Sequence, residues 1–294
     1  MIQSIHELTG KTKVLGIIGD PISHSLSPLM QNAALRALGL DYIYVPFRVR
    51  PEELSTALLG LQSLNVVGFN VTIPHKTAVV GLVDGLSREA ELIGAVNTVT
   101  REGAHLIGHN TDAIGFLSAL TEGMEFDPAG ANVLLLGAGG AARAALVALA
   151  QAGIENITIA NRTQSTAEEL LALLRHTGSR ATGNHISLSA VCADRALMGS
   201  FDLVVNTTSV GMGGTAFANF DVTWLNPGAR VYDMVYVPSE TPLLQAARAA
   251  GLKATNGASM LAAQGEAAFR LWIGCDPPPG LMQERVQSAL AALS

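Results

Sequence analysis

An apolar run at residues 132–136 leads straight into Gly137-Ala138-Gly139-Gly140-Ala141-Ala142, and an alanine-rich stretch continues as far as Gly153. This is G-x-G-x-x-A set between a strand and a helix, the context that gives the pattern its meaning. Gly137 permits the tight turn, Gly139 lets a pyrophosphate approach the backbone, and Ala142 allows helix and strand to pack closely. A glycine-rich turn in a non-binding α/β domain would give the same letters without the ligand.

The residues beyond Gly153 fit a nucleotide-binding domain. A strand is predicted at 156–160, ending at Asn161-Arg162-Thr163. An NAD site usually carries Asp or Glu here for the ribose 2′-hydroxyl, whereas an arginine suits a 2′-phosphate and hence NADP. A solvated arginine ahead of a helix capped by a Ser165–Glu168 box is the plainer reading of the same residues. Another buried strand, 201–206, delivers Thr207-Thr208-Ser209-Val210-Gly211-Met212 at its carboxyl end, where doubly wound sheets bind ligands. Residues 230–235 form a further strand with Tyr236 just past it, and 241–250 a helix closed by Gly251. After Gly257 comes a helix made apolar by Met260, Leu261, Phe269 and Leu271. In it Gln264 either faces solvent or reaches a ligand. A last amphipathic helix spans 281–293, and these final helices are expected to pack back on the first domain.

The first half reads as a second α/β layer. A strand at 14–19 turns at Asp20-Pro21, and Ser23-His24-Ser25-Leu26-Ser27-Pro28 precedes a helix that stops at Gly39. Hydroxyls at Ser25 and Ser27, beside free N–H groups at a helix start, suit a carboxylate, although Ser27 serves equally as a plain N-cap. A strand at 42–49 and a helix at 51–64 lead to Phe69-Asn70-Val71-Thr72-Ile73-Pro74-His75-Lys76. Alternation puts Phe69, Val71 and Ile73 on one face and Asn70 and Thr72 on the other. Pro74 predicts a helix start, so Lys76 would fall in an opening turn, a poor place for a cation. Two neutral polar groups with a lysine beyond them resemble one wall of an active site; a half-buried strand with a solvated lysine is the plainer alternative. A hairpin is predicted from 95–99 and 104–108 around Glu102-Gly103. His109-Asn110-Thr111-Asp112 then opens a helix carrying Ile114, Leu117 and Leu120. Asp112 is either that helix's cap or a carboxylate partner for Lys76.

Composition narrows the function. The chain of 294 residues is 49% hydrophobic with net charge −6, and its mean hydropathy is +0.34. That is a globular chain with room for two domains, and the charge argues against coating nucleic acid. The most apolar stretch, 132–150, is broken by glycines and Arg143, so no membrane span is expected. Residues 1–13 lack the apolar core of a signal peptide. Cys192 and Cys275 are expected to be buried apolar residues in a reducing, cytoplasmic setting. No HExxH or Cys-x-x-Cys occurs, so no protein-held metal is expected.

Ser-His-Ser-x-Ser-Pro, Asn-Val-Thr-x-Pro-x-Lys, Ala-Val-Asn-Thr, Asn-Thr-Asp, the glycine turn and Asn-Arg-Thr stand here in one order. Together they resemble the shikimate dehydrogenase family, which includes quinate/shikimate dehydrogenases, from Gly16 to about Trp272. The resemblance implies a substrate-binding catalytic domain of residues 1–111 and 257–294, a Rossmann NADP-binding domain of residues 112–256, and a cleft between them. It implies that Ser25 and Ser27, with Tyr236, hold a substrate carboxylate. Asn70, Thr72, Asn97, Asp112 and Gln264 would contact ring hydroxyls, and Lys76 and Asp112 would be the catalytic pair. Gly137, Ala138, Gly139, Gly140 and Ala141 would bind pyrophosphate, and Asn161, Arg162 and Thr163 the adenosine phosphate. Thr207, Val235 and Gly257 would complete the cofactor site, Gly257 near the nicotinamide. The family's motif commonly continues Asn-Arg-Thr-x-x-Lys/Arg, but Thr166 stands last here; Arg162 alone supplies the charge, and use of NAD beside NADP becomes an option.

The expected activity is reversible, NADP-dependent reduction of 3-dehydroshikimate to shikimate in chorismate biosynthesis. The expected partner is that small molecule, with no nucleic acid and no membrane; a homodimer is compatible with the role. The competing readings are a quinate/shikimate dehydrogenase of broader use, a different Rossmann dehydrogenase, and a non-catalytic ligand-responsive regulator. The second has no reason to keep Ser25, Asn70, Asn97 and Gln264 together, and the third none to keep Lys76 with Asp112.

Overall fold

The structure is a computed structural model and describes residues 8–293. The reading of residues 1–13 as free of a leader therefore lies, for 1–7, outside the described residues. Two compact units divide the chain: one takes residues up to Thr111 together with Gln264–Ser288, the other Asp112–Ala263 and the residues from Ala289.

The first unit is built on β1 (Lys13–Gly19), β2 (Tyr42–Arg48), β3 (Gly68–Val71), β4 (Gly85–Leu86), β5 (Thr98–Glu102) and β6 (His105–His109), in the order β2-β1-β3-β5-β6-β4. β1 runs parallel to β2 and β3, while β5 is antiparallel to both β3 and β6. β2 lies at the sheet's edge, which is where Pro46, lacking an N–H, can sit in a strand. Ile18, Phe69, Val71 and Val99 from the sheet meet Leu54, Leu58 and Leu61 of the helix Leu54–Ser63 in one core. On the other side Trp272, from the helix Ala258–Ile273, donates its indole N–H to Val99 O at 2.9 Å. Gly68 makes room for it: a Cβ there would lie 2.3 Å from Trp272 Nε1. Gln31 adds a second tie, donating to Gly265 O at 2.9 Å. The helix Ala258–Ile273 thus does pack back on the first sheet.

The second unit contains β7 (Asn132–Leu136), β8 (Asn156–Ala160), β9 (Thr182–Ile186), β10 (Leu203–Asn206), the short β11 (Val210–Gly213), β12 (Arg230–Asp233) and β13 (Lys253–Asn256). The sheet order is β13-β12-β10-β7-β8-β9 and every pairing is parallel. The order reverses between β7 and β10, and at such a switch point the carboxyl ends of strands leave a crevice for a ligand. β7 and β8 occupy the predicted spans residue for residue. Fully buried Ala142, Ala145 and Leu149 set the helix Gly140–Gln151 on the sheet.

Several local expectations are corrected. β3 ends at Val71, and Ile73 is 64% exposed, so the alternation does not continue as strand. No helix starts at Pro74; residues 73–77 form turns before a short 3₁₀ segment, Ala78–Gly81. The chain is held there by His75, whose N–H bonds back to Thr72 O at 2.9 Å while its buried imidazole donates to Val49 O at 2.7 Å. Lys76 therefore stands in a turn. The helix Asp112–Ser118 buries Gly115 and Phe116 and leaves Ile114 exposed, because Phe116 packs edge-on against Tyr232 with ring centroids 5.3 Å apart. The predicted Ser165–Glu168 capping box is absent: the helix starts at Gln164, whose own side chain bonds Glu168 at 2.7 Å. Both cysteines are free thiols, but Cys192 is only half-buried and Cys275 is exposed, so neither is the core residue expected.

Candidate active site

In the first unit, three of the residues singled out from sequence, Ser27, Asn70 and Asn97, lie along one buried polar row. Asn70 sits mid-sheet, opposite Ile17 of β1 and Thr98 of β5. Its amide donates to Thr98 Oγ1 at 3.0 Å and to Asn97 O at 3.1 Å, and its Oδ1 accepts from the Tyr44 hydroxyl at 2.6 Å. Tyr44 in turn touches the Ser27 hydroxyl, and burial pushes its phenol well above the ordinary range. Ser27 is buried in the first turn of the helix Ser27–Ala37 and is not its N-cap, a place taken by Leu26. Its N–H donates to Ser25 Oγ at 3.3 Å.

At the other end, Asn97 Nδ2 donates to Thr111 Oγ1 at 3.0 Å, and Asn97 Oδ1 accepts from the Thr111 N–H at 2.8 Å and the Thr98 hydroxyl at 3.0 Å. Ser27, Asn70, Asn97, Thr98 and Thr111 are each under 5% exposed. Lys76, half-buried, is tied to the same stretch through its carbonyl, which accepts from the Val96 N–H at 2.7 Å. Thr72 lies beside Gly19 at the end of β1, and Gln264 is 7% exposed on its helix, so it does not face solvent. Sequence reasoning missed Tyr44, and it quoted Thr98 and Thr111 without giving them a role.

In the second unit, Asp112 follows Thr111 directly, opens the helix Asp112–Ser118 and is buried. The glycine turn has the form its sequence requires. Gly137 has φ +103°, and a Cβ on it would press within 2.8 Å of Thr207 and Thr208. A Cβ on Gly139 would meet no atom within 4 Å, so the backbone there can be approached. The helix Gly140–Gln151 starts at this point with no side-chain cap and no acidic residue in its first turn. Ala138, Gly140 and Ala141 beside it are half-buried. Open space over uncapped N–H groups is what a phosphate needs. At the end of β8, Asn161 donates to Thr163 O at 2.9 Å, and Arg162 is exposed. Thr207 is fixed by its hydroxyl, which donates to Leu136 O at 2.7 Å. Val235 is buried, and Gly257 meets the same segment so closely that a Cβ would lie 2.4 Å from Met234 O. Tyr236 is half-buried, and burial raises its phenol. These residues fit a dinucleotide: a free helix start for pyrophosphate and one cation at the next strand's end.

An all-parallel sheet with a glycine turn at its switch point defines a Rossmann-like α/β protein, here joined to a second α/β unit with a neutral polar row. Residues 17–99 match the profile of the shikimate dehydrogenase substrate binding domain, 121–208 that of shikimate / quinate 5-dehydrogenase, and 257–287 that of the shikimate 5'-dehydrogenase C-terminal domain. A Geobacter metallireducens protein named shikimate dehydrogenase (NADP(+)) is 54% identical over 286 residues, 97% of this chain and 99% of its own. The chain belongs to the shikimate dehydrogenase family. Among solved structures, shikimate 5-dehydrogenase of Thermus thermophilus in complex with NADP(H) and shikimate is 36% identical, with a TM-score of 0.83 over 95% of this chain and 100% of that one. Quinate dehydrogenase of Corynebacterium glutamicum in complex with NAD is 33% identical, with a TM-score of 0.85 over 94% and 99%.

Proposed function

We propose that this chain catalyses the reversible, NADP-dependent reduction of 3-dehydroshikimate to shikimate, a step of chorismate and so of aromatic amino acid biosynthesis. The observation that carries the reading is the buried row from Ser27 through Tyr44, Asn70, Thr98 and Asn97 to Thr111, next to Asp112 in the chain. A small acid with several ring hydroxyls calls for neutral donors and acceptors in fixed positions, and such a site rejects analogues that leave its buried groups unpaired. Family membership and the full-length relatives support the same activity.

In this reading Ser25 and Ser27, with Tyr236, hold the substrate carboxylate, and Asn70, Thr72, Asn97, Asp112 and Gln264 take the hydroxyls. Lys76 gives a proton to the carbonyl oxygen in reduction and takes it back in oxidation, and Asp112 orients it. Gly137, Ala138, Gly139, Gly140 and Ala141 hold pyrophosphate, Asn161, Arg162 and Thr163 the adenosine phosphate, and Thr207, Val235 and Gly257 the remainder of the dinucleotide. When bound, that cofactor supplies or accepts the hydride; the protein's part is alignment and the proton. Most of the substrate contacts thus fall to the first unit, with Asp112 and Tyr236 from the second, and the nucleotide contacts fall to the second. We place the protein in the cytoplasm, in keeping with two free thiols and, among the described residues, no helix long and apolar enough to cross a membrane.

One observation favours a second reading, dual NAD/NADP use with quinate as an added substrate: Thr166 stands where the motif's second cation is expected, leaving exposed Arg162 alone. Both are tested by following nicotinamide reduction with shikimate or quinate crossed against NADP and NAD. Shikimate with NADP giving the highest kcat/KM supports the first reading. Quinate with NAD matching it supports the second, and no turnover of either acid overturns both.

A further inference from the structure

The cofactor end of the second unit contains a buried carboxylate that none of the roles above uses. Asn206 ends β10, Asp233 ends β12, and the two lie opposite each other in register. Neither has any exposed surface. Asp233 Oδ1 accepts from Asn206 Nδ2 at 2.8 Å and from the Val235 N–H at 3.0 Å, and Oδ2 accepts from the Thr241 hydroxyl at 2.6 Å. Thr241 is also the N-cap of the helix Pro242–Ala249. Asn206 extends the network: its Oδ1 accepts from the Thr208 N–H at 2.9 Å and hydroxyl at 2.7 Å, and its Nδ2 also donates to Val210 O at 2.8 Å.

Among the described residues every donor to Asp233 is neutral and no cation offsets the burial of its carboxyl, which burial pushes above the ordinary range against those hydrogen bonds. Such a site is costly unless an acceptor-only group is needed. The network supplies the reason. Through Asn206 it fixes Thr208, which with Thr207 packs against the positive-φ turn residue Gly137. Through the Val235 N–H it fixes the segment that Gly257 meets. One carboxylate thereby joins the loop after β10, the segment after β12 and the start of a helix. An amide at this position would turn an NH₂ toward the Thr241 hydroxyl, which would lose its present acceptor and have to accept from that amide as well as from the Leu244 N–H.

We propose that Asp233 is a positioning residue for the nucleotide site, holding the Thr207-Thr208 loop and the Val235 segment at the separation that the dinucleotide requires. The proposal rests on the reading of Thr207 and Val235 as cofactor contacts. The test uses the full chain and its Asp233→Asn and Thr241→Val variants, with NADP and NAD dissociation constants measured by calorimetry and shikimate KM by steady-state rates. Thr241→Val keeps the side chain's shape and removes one donor to Asp233 together with the cap on the Leu244 N–H, and it serves if Asp233→Asn does not fold. The expected result is a dissociation constant raised about tenfold or more by Asp233→Asn, the range a lost hydrogen bond to a charged group produces, and by a smaller factor in Thr241→Val. The rise should be equal for NADP and NAD, since neither loop is assigned to the 2′-phosphate, and shikimate KM should change much less. A merely structural role would lower the melting temperature and leave both nucleotide constants of the folded variants at the wild-type value, which would overturn the proposal. Wild-type protein that binds neither nucleotide would overturn the nucleotide-site reading itself, and the proposal with it.

Discussion

Tyr44→Phe removes one oxygen and leaves the ring in place against Trp272, with centroids 6.0 Å apart. The substitution deletes the 2.6 Å bond to Asn70 Oδ1 and the contact with Ser27. Tyr44 is 1% exposed and its two partners 4% each, so solvent has no ready access to the orphaned atoms. Asn70 cannot recover by turning its amide over, because Nδ2 already donates to Thr98 at 3.0 Å and to Asn97 O at 3.1 Å. A buried polar group left without a partner costs about 1–3 kcal/mol. The urea midpoint should therefore fall by an amount equivalent to about 1–3 kcal/mol at unchanged m-value. Because Asn70 and Ser27 are both assigned to substrate, KM for shikimate should rise by up to about tenfold, the equivalent of ~1.4 kcal/mol, with kcat less affected. The assay is urea unfolding followed by fluorescence, paired with steady-state rates at saturating NADP. A variant as stable as wild type and unchanged in KM would refute the reasoning: the row would not then be one connected wall of the site.

Arg162→Ala should raise KM for NADP far more than KM for NAD, because a 2′-phosphate is the only part of the cofactor that distinguishes them; equal effects in steady-state rates would remove the phosphate contact. A pH effect arises from His109, whose imidazole burial holds below its ordinary 6.5 against the opposing pull of Glu102 and Glu89. The unfolded chain then binds a proton first, so this contribution is complete above about pH 6.5 and is lost as pH falls below that value through the lower pKa of the folded state. Relative to His109→Gln, wild type should lose urea stability as pH drops; a difference that stays constant with pH would contradict this.

The nucleotide half was the more legible in sequence, for a physical reason. β7 and β8 are buried on both faces, so Asn132–Leu136 and Asn156–Ala160 read as apolar runs with sharp ends. β9, Thr-Gly-Asn-His-Ile, is an edge strand with three exposed residues, and pairing with β8 defines it more than its own composition does. The stretch around Asn70 misled in the opposite sense. Its alternation runs on to Ile73, but His75 anchors the chain in a turn before a helix can form. Tyr44 was hidden because a tyrosine in a strand reads as packing, and its hydroxyl's partner depends on the sheet order. Asp233 left a trace that could have been followed: Leu-Val-Val-Asn and Arg-Val-Tyr-Asp each place a polar residue at the end of an apolar strand, and parallel register sets the two side by side.

The account depends most on Lys76 as the group that moves the proton. Lys76→Ala, assayed in both directions with shikimate and NADP and with 3-dehydroshikimate and NADPH, should lower kcat by about 10²–10⁴-fold, the usual worth of general acid–base help, while KM changes little. A kcat near the wild-type value with only KM raised would make Lys76 a binding residue and contradict the mechanism.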